Sequence, residues 1–292
     1  MDISKQDNKV PKKLPKGVRQ ICFREKTGFG GDSEQICGCG NRAYEDKAGR
    51  FYGIRVLQSD SRDAEENLSV EEELTEQAER GVLCLLFWQN EDCVVIGRHQ
   101  DAEAECRLDA AEKMGIRIVR RRTGGGAVFQ DPGNLNVSFI AYADSLDEAI
   151  CEEILLKALE RCGVDACKTG RNDLVLKDAG PEISGMKTVE SVKEEEDFRR
   201  EESSGEGGKF SGSASRETPE GIFLFHATLM FDVDLDRMTA VLNASPAKLA
   251  RHRIASVRSR VTNLCDRYPD LKMETVMGAI ISESIDILMD PK

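Results

Sequence analysis

The chain has 292 residues, with 41 Lys+Arg against 53 Asp+Glu, so its formal net charge is −12. That balance argues against a nucleic-acid-binding surface, which needs clustered positive charge, and no apolar run approaches the roughly 18 residues of a bilayer-spanning helix. The length suits one large or two modest domains. Ten scattered cysteines, without an apolar stretch behind the N-terminal lysines to act as a secretory signal, read as reduced thiols of a cytoplasmic protein.

Residues 1–50 hold Pro11, Pro15, the run Gly28 to Gly31 and Cys37-Gly38-Cys39-Gly40, without sustained periodicity. They are expected to form a flexible N-terminal extension. Its Cys22, Cys37 and Cys39 are read as free thiols, because zinc ligation would call for a C-x-x-C pair or a nearby histidine.

From Phe51 the pattern is that of a globular domain reaching residue 292. Phe51 to Leu57 predicts a strand, and Glu71, Glu72 and Glu73 suit the first turn of a helix running to about Arg80. Val82 to Trp88 and Val94 to Ile96 read as a hairpin-like pair of buried strands. Further strands are expected at Ile116 to Val119, Asn136 to Tyr142, Asp173 to Leu176 and Ile222 to Phe231. Helical spacing marks Leu146 to Leu159, with Asp144 or Ser145 as N-cap, and Met273 to Leu288. The fold class expected is α+β, a mixed sheet flanked by helices. Residues 178–208, with ten acidic residues and six apolar ones, predict a solvated low-complexity insertion.

The sharpest chemical signal is Arg120-Arg121-Arg122-Thr123-Gly124-Gly125-Gly126-Ala127-Val128-Phe129. Consecutive glycines let backbone N–H groups approach an anion, and the guanidiniums offer forks for phosphate or carboxylate oxygens. The spacing is neither that of a Walker loop nor that of a dinucleotide turn. Gly170-Arg171-Asn172-Asp173 adds an amide and a carboxylate at the head of a strand, and Lys209-Phe210-Ser211-Gly212-Ser213-Ala214 adds a lysine at a small-residue turn. An ammonium there suits acyl activation on a nucleotide.

These stretches, with Val94 to Gln100, Asp131, Gly133-Asn134, Arg216-Glu217-Thr218 and Ser256 to Asn263, closely resemble lipoate-protein ligase A over about residues 51–290. The resemblance implies the biotin/lipoate protein ligase fold, related to class II aminoacyl-tRNA synthetases. It implies an enzyme that activates lipoate with ATP and Mg²⁺ to lipoyl-AMP and transfers the lipoyl group to an acceptor lysine. The acceptors implied are lipoyl domains of 2-oxoacid dehydrogenases or the glycine cleavage H protein. Carried over by motif, Lys209 is catalytic and contacts the acyl carbonyl and phosphate. Arg121, Gly125, Gly126, Ala127, Val128 and Phe129 hold the adenylate, with Asn172 and Asp173 at its far side; ligands for the metal stay unassigned.

The sequence departs from the family at Gln130 and at Phe225-His226, where histidines are common, and His226 in its strand pattern reads as a satisfied core histidine. The C-terminal accessory domain common in such ligases is not expected here, which raises a separate subunit that assists adenylation. The insertion holds an echo of the lysine turn, Glu182-Ile183-Ser184-Gly185; Lys209 is preferred because the family pattern continues behind it. Two alternatives stay open: an octanoyl or lipoyl transferase using Cys167 as nucleophile, and a catalytically silent lipoyl-binding subunit.

Overall fold

In the computed structural model the described residues are 14–21, 51–170, 172–177, 208–243 and 261–289. The expectations for Cys22, Cys37 and Cys39, for the insertion up to residue 207, for Arg171 and for Ser256 to Arg260 lie outside them.

The main sheet has eight strands in the order β1-β2-β3-β7-β11-β10-β9-β8, and a smaller sheet has the order β5-β4-β6. In chain order the strands are β1 (Val18–Gln20), β2 (Gly53–Ser59), β3 (Val82–Trp88), β4 (Cys93–Ile96), β5 (Arg117–Arg120), β6 (Val128–Gln130), β7 (Asn134–Tyr142), β8 (Ala166–Thr169), β9 (Asp173–Leu176), β10 (Lys209–Glu217) and β11 (Ile222–Met230). The helices are α1 (Ala64–Glu76), α2 (Ala102–Glu105), α3 (Leu108–Lys113), α4 (Glu148–Arg161), α5 (Leu235–Val241), α6 (Leu264–Arg267) and α7 (Met273–Leu288). Only β2 and β3 run parallel within the main sheet, joined through α1. The α+β class and the mixed sheet flanked by helices are therefore what the chain adopts. Among the described residues no helix is long and apolar enough to cross a membrane.

Alternation along the central strands divides the two faces. Leu135, Val137, Phe139 and Ala141 of β7, with Phe225, Ala227 and Leu229 of β11, join the core that includes residues of α4 and α7; Phe139 and Phe225 meet edge-on, 5.9 Å apart. Burying each such phenylalanine stabilises the fold by about 1.5–3 kcal/mol. The opposite face of β7 carries Asn134, Asn136 and Ser138, all buried. That polar row lies beneath α1, where Ser138 donates to Glu71, and beside the small sheet, where Asn136 accepts from Gln130.

Four local readings need correction. Helix α1 begins at residue 64, not near Glu71: Asp63 caps it by accepting from the amides of Glu65 (2.8 Å) and Glu66 (3.2 Å), which leaves Glu71 in mid-helix facing inward. Strands β3 and β4 do not pair; β3 lies between β2 and β7, and β4 between β5 and β6. The turn between them is diverted because buried Asn90 accepts from Asn67 Nδ2 (2.8 Å) and donates to Gln130 Oε1 (2.7 Å). Asp147, not Asp144 or Ser145, caps α4 by accepting from the Ile150 amide, while Asp144 is held by Arg80 at 2.6 Å. Finally, Val18–Gln20 within the N-terminal stretch pairs antiparallel with β2, an element too short to show periodicity.

Candidate active site

The glycine loop between β5 and β6 is shaped by the arginine before it. Arg121 is buried and turns its guanidinium inward: Nε donates to Thr123 Oγ1 (2.9 Å), Nη1 to the Val95 carbonyl (3.0 Å), and Nη2 to the carbonyls of Gly124 (2.7 Å) and Gly126 (2.8 Å). With those carbonyls drawn inward, the N–H groups of Gly124, Gly125 and Gly126 have no acceptor among the described residues, and all three glycines are exposed. The turn requires a left-handed residue, Gly125 at φ 88°. It also requires the absence of a side chain at Gly97, where a Cβ would collide with the Gly125 carbonyl. The loop is thus a nest of free amides suited to an anion.

The three arginines divide the work. Arg120 Nη1 donates to the carbonyls of Gly97, Arg98 and Gln100 and fixes that neighbouring loop. Arg121 fixes the glycine loop, and burial lowers its pKa to about 10, opposed by the negative charge of Glu71. Arg122 is mostly exposed. Together with Arg98 and Arg216 they line a cleft of about 340 Å³. Glu72 on α1 reaches into this group, 2.6 Å from Arg216 Nη2 and 3.5 Å from Arg122 Nη1. Burial raises the Glu72 carboxyl above its ordinary range despite the two guanidiniums.

Lys209 stands at the first residue of β10, a strand and not the turn expected from its small neighbours. Its Nζ is 2.6 Å from Asp173 Oδ1 and leans along the strand, 3.2 Å from where a Cβ of Gly212 would be. Ala214, two residues or about 7 Å farther along β10, lies against Gly125. The lysine and the glycine loop therefore share one strand as their floor. Asn172 turns away from this space: its Nδ2 donates to the Ser213 carbonyl (3.0 Å) and its own carbonyl accepts the Ser213 amide (3.0 Å), clamping β10. Val128 belongs to β6, which pairs in its sheet only with β4, and the side chain of Phe129 is in the core. These two residues offer a ligand mainly backbone, as does Ala127.

Cys167 shares a cross-strand row with Val175 and Lys209, which sets it about 10 Å from the lysine backbone. It is a partly buried free thiol, and His226 is three strands away and five residues off its row, roughly 20 Å. That separation does not provide the adjacent base a thiolate nucleophile uses. His226 is buried and bonded on both ring nitrogens, as a satisfied core histidine should be. Among the described residues no group of three His, Cys, Asp or Glu side chains can hold a metal by itself.

Residues 63–285 match the family model of the lipoyl protein ligase A/B catalytic domain. The chain belongs to this family. Among solved structures, a bi-partite lipoate protein ligase from Thermoplasma acidophilum, studied with its E2 lipoyl domain, is 26% identical with a TM-score of 0.63, covering 83% of this chain and 86% of the other. A lipoate-protein ligase A bound with ATP is 26% identical over the same shares, TM-score 0.61. Protein Ta0514 of T. acidophilum with bound lipoic acid is 25% identical over the same shares, TM-score 0.60. Sequence reading missed Gly97, Glu71, Thr123 and Arg216 as parts of the site. The stretch around Gly97-Arg98 and the Arg216-Glu217-Thr218 run were visible as motifs, while Glu71 was hidden within an acidic cluster.

Proposed function

We propose that this chain is an ATP-dependent lipoate-protein ligase, forming lipoyl-AMP and transferring the lipoyl group to a lysine of an acceptor lipoyl domain. The observation that carries the reading is the amide nest of Gly124 to Gly126, held open by Arg121 beside the strand that starts at Lys209. A nest of this kind accepts a phosphate, and Arg98, Arg122 and Arg216 along the adjoining cleft suit the remaining phosphate charge. The ATP-bound and lipoic-acid-bound relatives support both substrates.

In the first step a carboxylate oxygen of lipoate attacks the α-phosphorus, the bond to the bridging oxygen breaks, and pyrophosphate leaves. Lys209, released from Asp173, stabilises charge on the phosphoryl and acyl oxygens, with the backbone of Gly125 to Phe129, kept in shape by Arg121, holding the adenylate. In the second step a neutral acceptor amine attacks the acyl carbonyl, AMP leaves, an amide forms and one proton is released. Mg²⁺ fits this site, since it takes one or two carboxylates and completes its shell with phosphate oxygens and water. Asp173 would hold it, and the ion would neutralise phosphate charge there. Asn172 supports β10 under Lys209. The bi-partite relative and its E2 lipoyl domain favour lipoyl domains of 2-oxoacid dehydrogenases, or the glycine cleavage H protein, as acceptors, with a separate subunit assisting adenylation.

The test is pyrophosphate release and lipoyl mass gain on a lipoyl domain, measured with lipoate and ATP, with and without a candidate partner subunit. Both signals should require lipoate and ATP together. Acyl transfer from a carrier thioester without ATP would replace this reading with the cysteine transferase.

A further inference from the structure

We propose that Glu71, His226 and Thr123 form a polarised hydrogen-bond relay that keeps the glycine loop in its ligand-binding shape. His226 is then a positioning residue, whose imidazole must be neutral with its proton on Nδ1. The relay rests on the ligase reading only for the identity of the ligand in the loop.

The proton positions follow from the donors at each end. Arg121 Nε–H donates to Thr123 Oγ1 at 2.9 Å, so the Thr123 hydroxyl directs its own hydrogen at His226 Nε2, 3.0 Å away. Nδ1 must carry a proton, because it faces the acceptor-only carboxylate of Glu71, Oε1 at 2.9 Å and Oε2 at 3.2 Å; in the relay Nε2 then offers its lone pair to the Thr123 hydroxyl. A second branch reaches the same carboxylate: Trp88 Nε1–H donates to Ser138 Oγ (2.9 Å), whose hydroxyl donates to Glu71 Oε1 (2.6 Å). All six side chains are buried. The relay therefore joins a buried guanidinium to a buried carboxylate through neutral groups, and truncating either end strands a charge in the interior.

The route also explains how a helix acts on a loop. Glu71 belongs to α1, Trp88 to β3, Ser138 to β7 and His226 to β11, while Thr123 and Arg121 begin the glycine loop. Charged groups around the pair come from α1 (Glu71, Glu72), from the loop (Arg121, Arg122) and from β10 (Arg216). The ladder neighbours of His226, Ala214 and Ser138, carry no charge. A proton added at Nε2 would point a second donor at Thr123 Oγ1 and turn its hydroxyl away, with no further acceptor among the described residues. It would also bring positive charge toward Arg121. Acidification should therefore loosen the loop before the fold itself is lost.

The chain has one tryptophan, and it is joined to the Glu71–His226 pair through Ser138, so its emission should respond to a change in that pair without any substitution. Emission of Trp88 should change in one transition as the medium is acidified, and the Kd for ATP should rise about tenfold per pH unit below its midpoint, the limit for one competing proton. Thr123→Val should weaken ATP binding and remove its pH dependence while the Trp88 transition remains; Thr123→Ser should restore the dependence; His226→Gln should abolish the transition. Hydrogen exchange of the Arg121 and Arg98 amides in the wild type, which are bonded to the Ile96 and Thr123 carbonyls, needs no variant and should accelerate beyond intrinsic chemistry across the same transition. A Trp88 emission that does not titrate, exchange that does not change, or a Thr123→Val protein with wild-type pH dependence would overturn the relay. Failure of the wild type to bind ATP at any pH, with Trp88 and exchange behaving as expected, would overturn the ligase reading and leave the relay standing.

Discussion

Lys209 and Asp173 hold each other at 2.6 Å with each side chain about one-fifth exposed, a pair that a phosphoryl oxygen or a cation can re-partner. Removal of one preorganised charged donor costs about 10²–10³ in rate. Lys209→Ala should reduce pyrophosphate release by that factor while the protein still folds cooperatively, with a modest drop in the circular-dichroism melting temperature, because the pair is mostly buried and Asp173 loses its partner. Near-normal release would remove Lys209 from the chemistry. Cys167, two strands away and without an adjacent base, predicts the opposite pattern. Cys167→Ser should keep ATP-dependent lipoylation within a few-fold, and an acyl-thioester trapped on the wild type by mass spectrometry would contradict this.

At the scale of elements, the site is built where two loops nearly touch. The loop after β4 carries Gly97 against the carbonyls of Gly124 and Gly125, and Arg120 and Arg121 tie the two loops from behind. Any side chain at residue 97 must push the glycine loop outward. Gly97→Ala should therefore cost about 1–3 kcal/mol of stability, the usual range for overpacking, yet weaken ATP binding at least tenfold. Calorimetric titration alongside a urea melt separates the two effects. A variant with full ATP affinity would show that the loop shape is not set by this contact. The same economy of space holds at the turn before β7, where Asp131 accepts the Gly133 amide (2.8 Å) and the Asp234 amide (2.8 Å). The Asp131 and Gly133-Asn134 motif is thus turn-building machinery, placed next to the site and not in it.

For the whole molecule the buried carboxylate of Glu71 links folding to pH. Burial pushes its pKa up, but His226, the Ser138 hydroxyl and Arg216 outweigh burial and leave it below the ordinary value of 4.5. A carboxylate held lower in the fold than in the unfolded chain contributes stability that is complete above the unfolded value and is lost as pH falls through the folded one. The melting temperature should decline below about pH 4.5, and Glu71→Gln should flatten that decline while lowering stability at neutral pH. Thermal melts at about pH 5 and pH 3 measure it. An equal acid-induced decline in both proteins would show that other carboxylates, such as the lowered Asp63 and Asp144, govern the response.

Much of this protein was legible in one dimension. Apolar alternation and helical spacing located β7, β11, α4 and α7, because those elements bury a whole face and burial imposes a period. The Arg121 to Phe129 run, Asn172-Asp173 and Lys209 announced anion chemistry, since glycine repeats and fixed charges are local requirements. Pairing was not legible: β3 and β4 look like a hairpin, and only Asn90, drawn into bonds with Asn67 and Gln130, sends them to different sheets. Nor was the direction of a guanidinium legible, for Arg121 reads as a fork for a ligand but faces its own loop. The relay from Glu71 to Thr123 joins residues 155 and 103 positions apart. Sequence determines which residues can donate, accept or carry charge; the tertiary structure decides which of them meet, because a hydrogen bond acts over about 3 Å and distance along the chain does not predict it.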